Sequence, residues 1–265
     1  MHVEPEYRAL FAVDIERSAG RGDSAFLEIR HALLSALRES FGRSGIDWDA
    51  CLCTDLGDGI QVTAPAGLWK TKLIHPLIHE LDARLHAHNR LAGPLTRIRV
   101  RIALHAGDVH LHPDGQVVGR PLEVLARLLN AAPTRVALNR APDAVTALIV
   151  SQHFHEETVC HGYPGIEPAA FHGVTVTEKE YAASAWLHVP GQRTGAPAPE
   201  GAARPPATAD TAEGPGTGAP VRPETGPGPG PGPGPGKMRN KAKGNGSVYA
   251  VQNGTQNVRV TDRRT

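Results

Sequence analysis

The sequence has few cysteines and no long apolar run, and both shortages exclude a class of protein. The three cysteines, Cys51, Cys53 and Cys160, are an odd number without the spacing of a disulfide framework, which favours a reducing compartment. No apolar stretch approaches the ~18 residues of a membrane span, and the N-terminus lacks the basic-then-apolar pattern of a signal peptide. We therefore expect a cytoplasmic protein that does not enter a membrane.

Aromatic residues are also scarce, at 5% of the 265 residues, whereas 29 glycines and 23 prolines are present. The excess is local, because residues 191–240 contain 12 glycines and 12 prolines. A packed core is excluded there, since almost no apolar surface is available to offset the chain entropy. The sequence therefore predicts a folded body (1–190), a disordered Pro/Gly-rich linker (191–244) and a short tail (245–265).

Charge supports the same division. Residues 1–190 carry 18 Lys+Arg and 22 Asp+Glu, a net charge of −4, whereas residues 191–265 carry 10 and 5, a net charge of +5. A mildly acidic body argues against nucleic acid as a partner, because nucleic-acid binding depends on basic contacts to phosphates.

The hydrophobic periodicity of the first part of the body predicts a βαββαβ order. The predicted elements are a strand at 7–16, a helix from an N-cap at Ser24 to a stop at Gly42, a hairpin of strands 50–56 and 60–64, a helix in 69–92 whose main part follows Pro76, and a strand at 97–105. This order is typical of a ferredoxin-like α+β fold, an antiparallel sheet with helices on one face. A second section is predicted to add a strand pair near 109–118, a helix at 122–130, a strand at 147–151 and strands near 173–177 and 184–189.

Two aspartates occupy positions that suit chemistry. Asp14 lies near the end of the first strand, and Asp58 lies at the tip of the Gly57-Asp58-Gly59 hairpin. Because the first strand and the hairpin are neighbours in a βαββαβ sheet, the two carboxylates can converge and bind Mg²⁺ or Mn²⁺. The alternative is that Asp58 is an ordinary turn residue and Asp14 caps nearby amides.

Four segments together resemble the class III nucleotidyl (adenylyl/guanylyl) cyclase catalytic domain. They occur in family order at residues 11–18 (FAVDIERS), 55–59 (DLGDG), 101–109 (RIALHAGDV) and 119–128 (GRPLEVLARL). Residues 47–51 (DWDAC) and 161–165 (HGYPG) are similar to signatures of an actinobacterial branch of cyclase-like proteins. The resemblance covers roughly residues 7–190.

The resemblance implies a site for a nucleoside triphosphate. Asp14 and Asp58 would bind two divalent metals, Mg²⁺ or Mn²⁺, and Arg127 would stabilise the charge of the transition state. The amides that follow Asp14 would cradle the triphosphate; they belong to Ile15, Glu16, Arg17 and Ser18.

Several family positions carry other residues here. The catalytic asparagine is replaced by Glu123, and the two positions that select the purine are occupied by Thr54 and Gln116. Lys179 is a weak match to the late phosphate-binding lysine. These departures favour a divergent or catalytically degenerate cyclase-like signalling domain; the alternative is an active cyclase that forms a 3′,5′-cyclic nucleotide, with a non-standard base among the options.

The family works as head-to-tail dimers, in which the metal aspartates and the arginine helix come from different subunits. The resemblance therefore implies a homodimer with two composite sites.

The tail is rich in Asn and Gln, alternates Val and Tyr, and has neither proline nor acidic residues between positions 245 and 260. These features suit a stackable cross-β segment that could form a β-arch, although they also suit an unstructured terminus. The segment resembles amyloid-type signalling motifs of bacteria, which implies a bacterial immune-receptor-type partner that would be held by a flexible linker.

Overall fold

The computed structural model describes residues 4–178 and 181–191, and its elements up to β4 follow the predicted βαββαβ order. The elements are β1 (Glu6–Ile15), α1 (Asp23–Arg43), β2 (Leu52–Asp55), β3 (Gly59–Thr63), α2 (Leu77–Leu91), β4 (Val100–Leu111), β5 (Val117–Val118), α3 (Arg120–Leu129), α4 (Ala132–Arg140), β6 (Thr146–Ser151), α5 (Gln152–Phe154), β7 (His172–Glu178) and β8 (Tyr181–His188). Short 3₁₀ turns lie at Lys70–Leu73 and Pro168–Ala170, and a π-helical turn at His155–Val159 follows α5.

The strands form one sheet in the order β2-β3-β1-β4-β6-β8-β7, and β5 pairs with β4. Strand β1 is antiparallel to both β3 and β4. The first four strands and the helices α1 and α2 therefore give the predicted ferredoxin-like α+β arrangement. The pairings among these four strands are antiparallel, as predicted. In the second section β6 pairs with β4 in parallel, and β8 and β7 follow in antiparallel order.

Helices α1 and α2 lie on one face of the sheet as predicted, and α3 of the second section covers the other face. Phe11 and Val13 of β1 belong to the core beneath α1 and α2. Leu10 and Ala12 point to the other face, where they share a second core with Leu125 of α3. A strand that is buried on both sides is apolar at successive positions, and this explains the continuous apolar run of β1.

The first helix begins and ends slightly differently from the prediction. Its N-cap is Gly22, at φ 85°, and no side chain caps the helix, so Ser24 lies inside the first turn rather than at the cap. The carboxylate of Asp23 in that turn favours the helix because it lies near the positive end of the helix dipole. Gly42 is the next-to-last residue of the helix, and Pro76 directly precedes α2 as predicted.

None of the helices within residues 4–178 and 181–191 combines the length and the hydropathy of a membrane-spanning segment. The predicted tail, and the linker beyond Gly191, lie outside the described residues.

Candidate functional site

The structure brings Asp14 and Asp58 together at one end of the sheet. Asp14 is the penultimate residue of β1 and pairs with Gly59 in the β1–β3 ladder. The next amide, that of Ile15, donates to the backbone carbonyl of Asp58 at 3.1 Å. Asp14 is buried, with 7% of its surface exposed, and Asp58 is half-buried. The two carboxylates thus come from the end of β1 and from the turn between β2 and β3, one buried and one half-buried.

Arg101 contacts Asp14 from the other neighbouring strand. It is the direct partner of Asp14 in the β1–β4 register, and its guanidinium donates from Nε to Oδ1 at 2.9 Å and from Nη2 to Oδ2 at 2.5 Å. This is a bidentate pair that engages both carboxylate oxygens. Burial raises the pKa of Asp14 to about 6, while the guanidinium acts in the opposite direction, so the carboxyl is ionised at neutral pH.

Asp58 has a hydroxyl partner from the loop that follows β1. Ser18 is buried, and its Oγ donates to Oδ2 of Asp58 at 2.6 Å. The neighbouring residue, Arg17, has a φ of 51°, a value that L-residues adopt rarely, and its guanidinium donates to Oδ1 of Asn139 in α4 at 3.1 Å. The loop after β1 is therefore tied both to the hairpin and to α4.

Two of the four amides that were expected to bind phosphate already have backbone partners. The Ile15 amide donates to the Asp58 carbonyl, and the Glu16 amide donates to the carbonyl of Arg99 at 2.8 Å. A phosphate group that used either amide would have to displace a hydrogen bond of the sheet edge.

Arg21 holds the same loop in place. Its guanidinium donates to the carbonyls of Arg17 and Glu16, at 2.7 and 2.8 Å, and to those of Leu95 and Arg97, at 3.2 and 2.5 Å. One side chain thus joins the loop after β1 to the loop before β4, and it fixes the backbone that carries Ser18.

The other predicted site residues lie on separate elements. Glu123 is exposed and Arg127 is half-buried on α3. Thr54 is exposed on the edge strand β2, and Gln116 is exposed in the turn between β4 and β5. Lys179 lies outside the described residues. Within the chain, therefore, the aspartates and the other predicted positions come from different parts of the fold.

A groove of about 430 Å³ runs between α1 and the β2–β3 hairpin and reaches Asp58. Leu34 and Ile60 contribute apolar surface to it, while Arg30 and Arg38 contribute positive charge. Arg30 also pairs with Asp55 of β2 at 2.5 Å. Asp55 and Asp58 contribute negative charge to the same lining, so the groove combines an apolar surface with charged groups of both signs. The groove could not be predicted from the sequence, because residues of α1 and β2 meet only in the folded chain.

The donor chemistry at the two aspartates fits a divalent cation. The carboxylates of Asp14 and Asp58 and the Ser18 hydroxyl are oxygen donors of the kind that Mg²⁺ and Mn²⁺ prefer, and water or phosphate would complete the shell. Among the described residues, no group of three or more His, Cys, Asp and Glu side chains is placed to hold a metal. Cation binding at Asp14 also competes with Arg101, which uses both of its oxygens.

Comparison with solved structures identifies the fold. The chain is similar to an adenylate/guanylate cyclase/hydrolase from Silicibacter pomeroyi, with 19% identity and a TM-score of 0.52 over 71% of this chain and 99% of that chain. The guanylate cyclase domain of RhGC from Catenaria anguillulae, solved in complex with GTP, matches 71% of this chain and 98% of that chain, with 14% identity and a TM-score of 0.48. No protein-family model matches the sequence, and no curated protein matches it. The first similarity shows that the body has the α+β fold of cyclase catalytic domains.

Proposed function

We propose that residues 1–190 form a nucleotidyl cyclase-like signalling domain that binds a nucleoside triphosphate together with a divalent metal, and that it turns over slowly or not at all. The observation that carries this proposal is the convergence of Asp14 and Asp58 at the end of a βαββαβ sheet. The cyclase fold and the charged groove beside Asp58 support it. The actinobacterial branch suggested by residues 47–51 and 161–165, and a cytoplasmic location, are further parts of the proposal.

Asp14 and Asp58 are the residues that would hold Mg²⁺ or Mn²⁺. The ion would neutralise charge on the phosphates of the bound nucleotide. Arg30 and Arg38 add positive charge to the groove that leads to Asp58, and its apolar surface suits the base or the sugar. Lys179 is proposed as a further phosphate contact on the resemblance alone.

The proposal of degeneracy depends on three departures. Glu123 presents a carboxylate where the family has a neutral amide, and a negative charge beside a polyphosphate opposes binding of the transition state. Thr54 and Gln116 leave the base without the family's selecting groups. In addition, the amides of Ile15 and Glu16 are already used within the sheet edge.

Nucleotide binding and product formation test the proposal together. The full chain is titrated with each of the four nucleoside triphosphates in Mn²⁺ by calorimetry, and each mixture is then analysed for cyclic nucleotide. We expect binding without significant product, and at least about tenfold weaker binding in Asp58→Asn, because a charge-assisted ligand is lost. Asp143→Asn is the matched control, since Asp143 is exposed in the turn before β6 and does not line the groove. Absence of binding for all four nucleotides would exclude the proposal.

An active cyclase is the second candidate, and Arg127 favours it. This arginine keeps the family's spacing on α3, and Asp14 and Asp58 are also retained. A cyclic product from any of the four nucleotides that disappears in Asp14→Ala would establish turnover. No product under conditions in which a known cyclase turns over would reject it.

We also propose a homodimer, since the aspartates and α3 would then complete each other's sites across two subunits. Sedimentation equilibrium of the full chain should give twice the monomer mass. A monomer at all concentrations, with nucleotide present, would contradict this part.

For residues 245–260 we propose a self-assembling signalling motif that contacts a bacterial immune-receptor-type protein. A peptide of residues 244–261 is expected to bind thioflavin and to form fibres. A dye-negative peptide that stays in solution at high concentration would argue against the motif.

A further inference from the structure

A cavity lies towards the end of the sheet that is remote from Asp14. His105, which lines this cavity, is paired with Leu10 in the β1–β4 register. Asp14 is paired with Arg101, four residues earlier on β4. At a rise of ~3.3 Å per residue the two positions are about 13 Å apart along the strand, so the cavity is separate from the site of the two aspartates.

The cavity has a volume of about 470 Å³, which lies in the usual range of small-ligand pockets. Pro121 and Val124 of α3 give it apolar surface. The polar side chains of its lining are His105, Arg120, Ser151, Gln152, His153 and Ser184. Among the described residues that line it, Arg120 alone carries a permanent charge, and Asp108 of β4 is exposed outside the lining. A ligand that enters the cavity therefore meets positive charge.

His105 directs one ring nitrogen to the protein and the other towards α3. Its Nδ1 lies 2.8 Å from Oγ of Ser151. A Cβ added to Gly107 would lie 2.7 Å from Cγ of Pro121 and 3.8 Å from Nε2 of His105, which places Nε2 beside the first turn of α3. No hydrogen bond from residues 4–178 or 181–191 engages this Nε2.

His105 is neutral and can present an N–H group to the cavity. Burial lowers its pKa to about 4, and the neighbouring His153 acts in the same direction. Ser151 accepts from the Phe154 amide at 3.0 Å, and its hydroxyl hydrogen remains available to Nδ1 of His105. The neutral ring then carries its own proton on Nε2, which donates to an acceptor in the cavity.

The carboxylates next to the cavity have partners, whereas Arg120 has none. Glu156 accepts from the amide of Gln152 at 2.6 Å, and Glu157 accepts from the ammonium of Lys70 at 2.7 Å. Arg120 is exposed at the start of α3, and no described residue forms an ion pair with it. Its guanidinium therefore keeps its donors for a ligand, and these donors match a carboxylate or a phosphate group.

We propose that this cavity is a second ligand site, which binds a small organic anion. The carboxylate or phosphate group of the anion is held by Arg120 and by the Nε2–H of His105, and its apolar part packs on Val124. The site goes beyond the proposed function, since it uses neither Asp14 nor Asp58.

Calorimetry of the full chain, without metal or nucleotide, tests this site with benzoate and phenyl phosphate as probes. We expect saturable binding of at least one probe at concentrations up to about 10 mM, and the tighter probe identifies the oxyanion group. Benzamide has nearly the shape of benzoate but no charge. It should bind at least about tenfold more weakly than benzoate, because it cannot accept a charge-assisted hydrogen bond from an arginine as a carboxylate does.

Three variants assign the contacts. Arg120→Gln changes an exposed position, so the chain should fold normally, and binding of the tighter probe should weaken at least about tenfold. His105→Phe keeps a ring but lacks the N–H, and a loss of several-fold is expected. Val124→Trp fills the cavity from α3 and should abolish binding without a change of charge. Arg90→Gln is the matched control, because Arg90 is exposed on α2, which packs on the other face of the sheet; its affinity should stay within about twofold of the native value.

Three results would overturn the inference: neither anion binds, benzamide binds as tightly as benzoate, or Arg120→Gln keeps the native affinity. If His105→Phe does not fold, Arg120→Gln and Val124→Trp still decide the question. The outcome does not depend on the proposed function, because the titration contains no nucleotide and no divalent cation.

Discussion

Strands β1 and β3 approach each other closely at Gly59, beside the candidate site. Replacing Gly59 with alanine therefore tests the structure directly. A Cβ on Gly59 would lie 2.1 Å from the carbonyl oxygen of Val13 and 2.9 Å from Cα of Asp14. Both are backbone atoms of the adjoining strand, so no side-chain rotation can relieve the contact. In Gly59→Ala, β1 and β3 must therefore separate at the position of Asp14.

The size of the effect follows from this contact. Carbon and oxygen atoms rarely approach closer than about 3.3 Å, so the strands must move apart by about 1 Å. Overpacking of this kind costs about 1–3 kcal/mol, and each neighbouring ladder hydrogen bond that weakens adds about 1 kcal/mol. The bond from the Ile15 amide to the Asp58 carbonyl lies next to the contact. We expect Gly59→Ala to lower the free energy of unfolding by about 2–4 kcal/mol.

Urea denaturation of the full chain, followed by circular dichroism, measures this change through the midpoint at constant m-value. Gly42→Ala is the matched control. Gly42 lies within α1 and an added Cβ there meets no atom within 4 Å, so alanine should stabilise the protein by about 0.5–1 kcal/mol. If Gly59→Ala unfolds within about 0.5 kcal/mol of the native chain, the close approach of β1 and β3 is wrong.

Two further substitutions test other parts of the structure. Burial and the neighbouring His153 lower the pKa of His105 from 6.5 to about 4, so the unfolded chain takes up the proton first. The stability contributed by neutral His105 is complete above about pH 6.5 and is lost as the pH falls towards 4. The difference in unfolding free energy between the native chain and His105→Gln should therefore shrink across that range in urea titrations at several pH values. A difference that does not change with pH would contradict this. Arg21→Met keeps the apolar stem but loses the hydrogen bonds to carbonyls of two loops. We expect the free energy of unfolding, measured with urea or heat, to fall by about 2–3 kcal/mol. A change below about 0.5 kcal/mol would show that the two loops keep their positions without Arg21.

The neighbourhood of Asp14 and Asp58 could be predicted because it depends on the order of elements alone. A βαββαβ chain places β1 between β3 and β4, and a hairpin of three residues leaves little freedom in where its tip lies. The end of β1 and the tip of the hairpin then fall at the same edge of the sheet. Hydrophobic periodicity was sufficient for this inference, although the strand predicted at 97–105 continues to Leu111 and includes the first strand of the pair predicted near 109–118.

The role of Arg101 could not be predicted in the same way. Alternation along β4 places Arg101 on the face opposite to Ile102 and Leu104, but it does not show which element packs on the face of Arg101. In the fold α3 packs on that face, and the exact register opposite Asp14 decides which arginine meets a carboxylate. Register depends on long-range packing, so it cannot be read from one strand.

Helix α4 was missed for a local reason. It has only nine residues, and Pro133 lies in its first turn, where proline is well tolerated but where a sequence pattern indicates a break. Its C-terminal end is held by Arg99, which donates to the carbonyls of Leu138 and Ala141 at 2.5 and 3.0 Å. The anchoring side chain thus comes from the segment before β4, far away in sequence.

These contacts determine how a ligand meets the two aspartates. The bond between Arg17 and Asn139 joins the loop after β1 to α4, and Asp14 is buried in a pair with Arg101. The groove along α1 reaches Asp58 and does not include Asp14 among its lining residues. A ligand in the groove would therefore have access to Asp58, whereas Asp14 would become available only when its hydrogen bonds with Arg101 are broken. If the proposed cation binds here, Asp58 is its accessible carboxylate, and the strength of the pair between Asp14 and Arg101 decides whether a second carboxylate takes part.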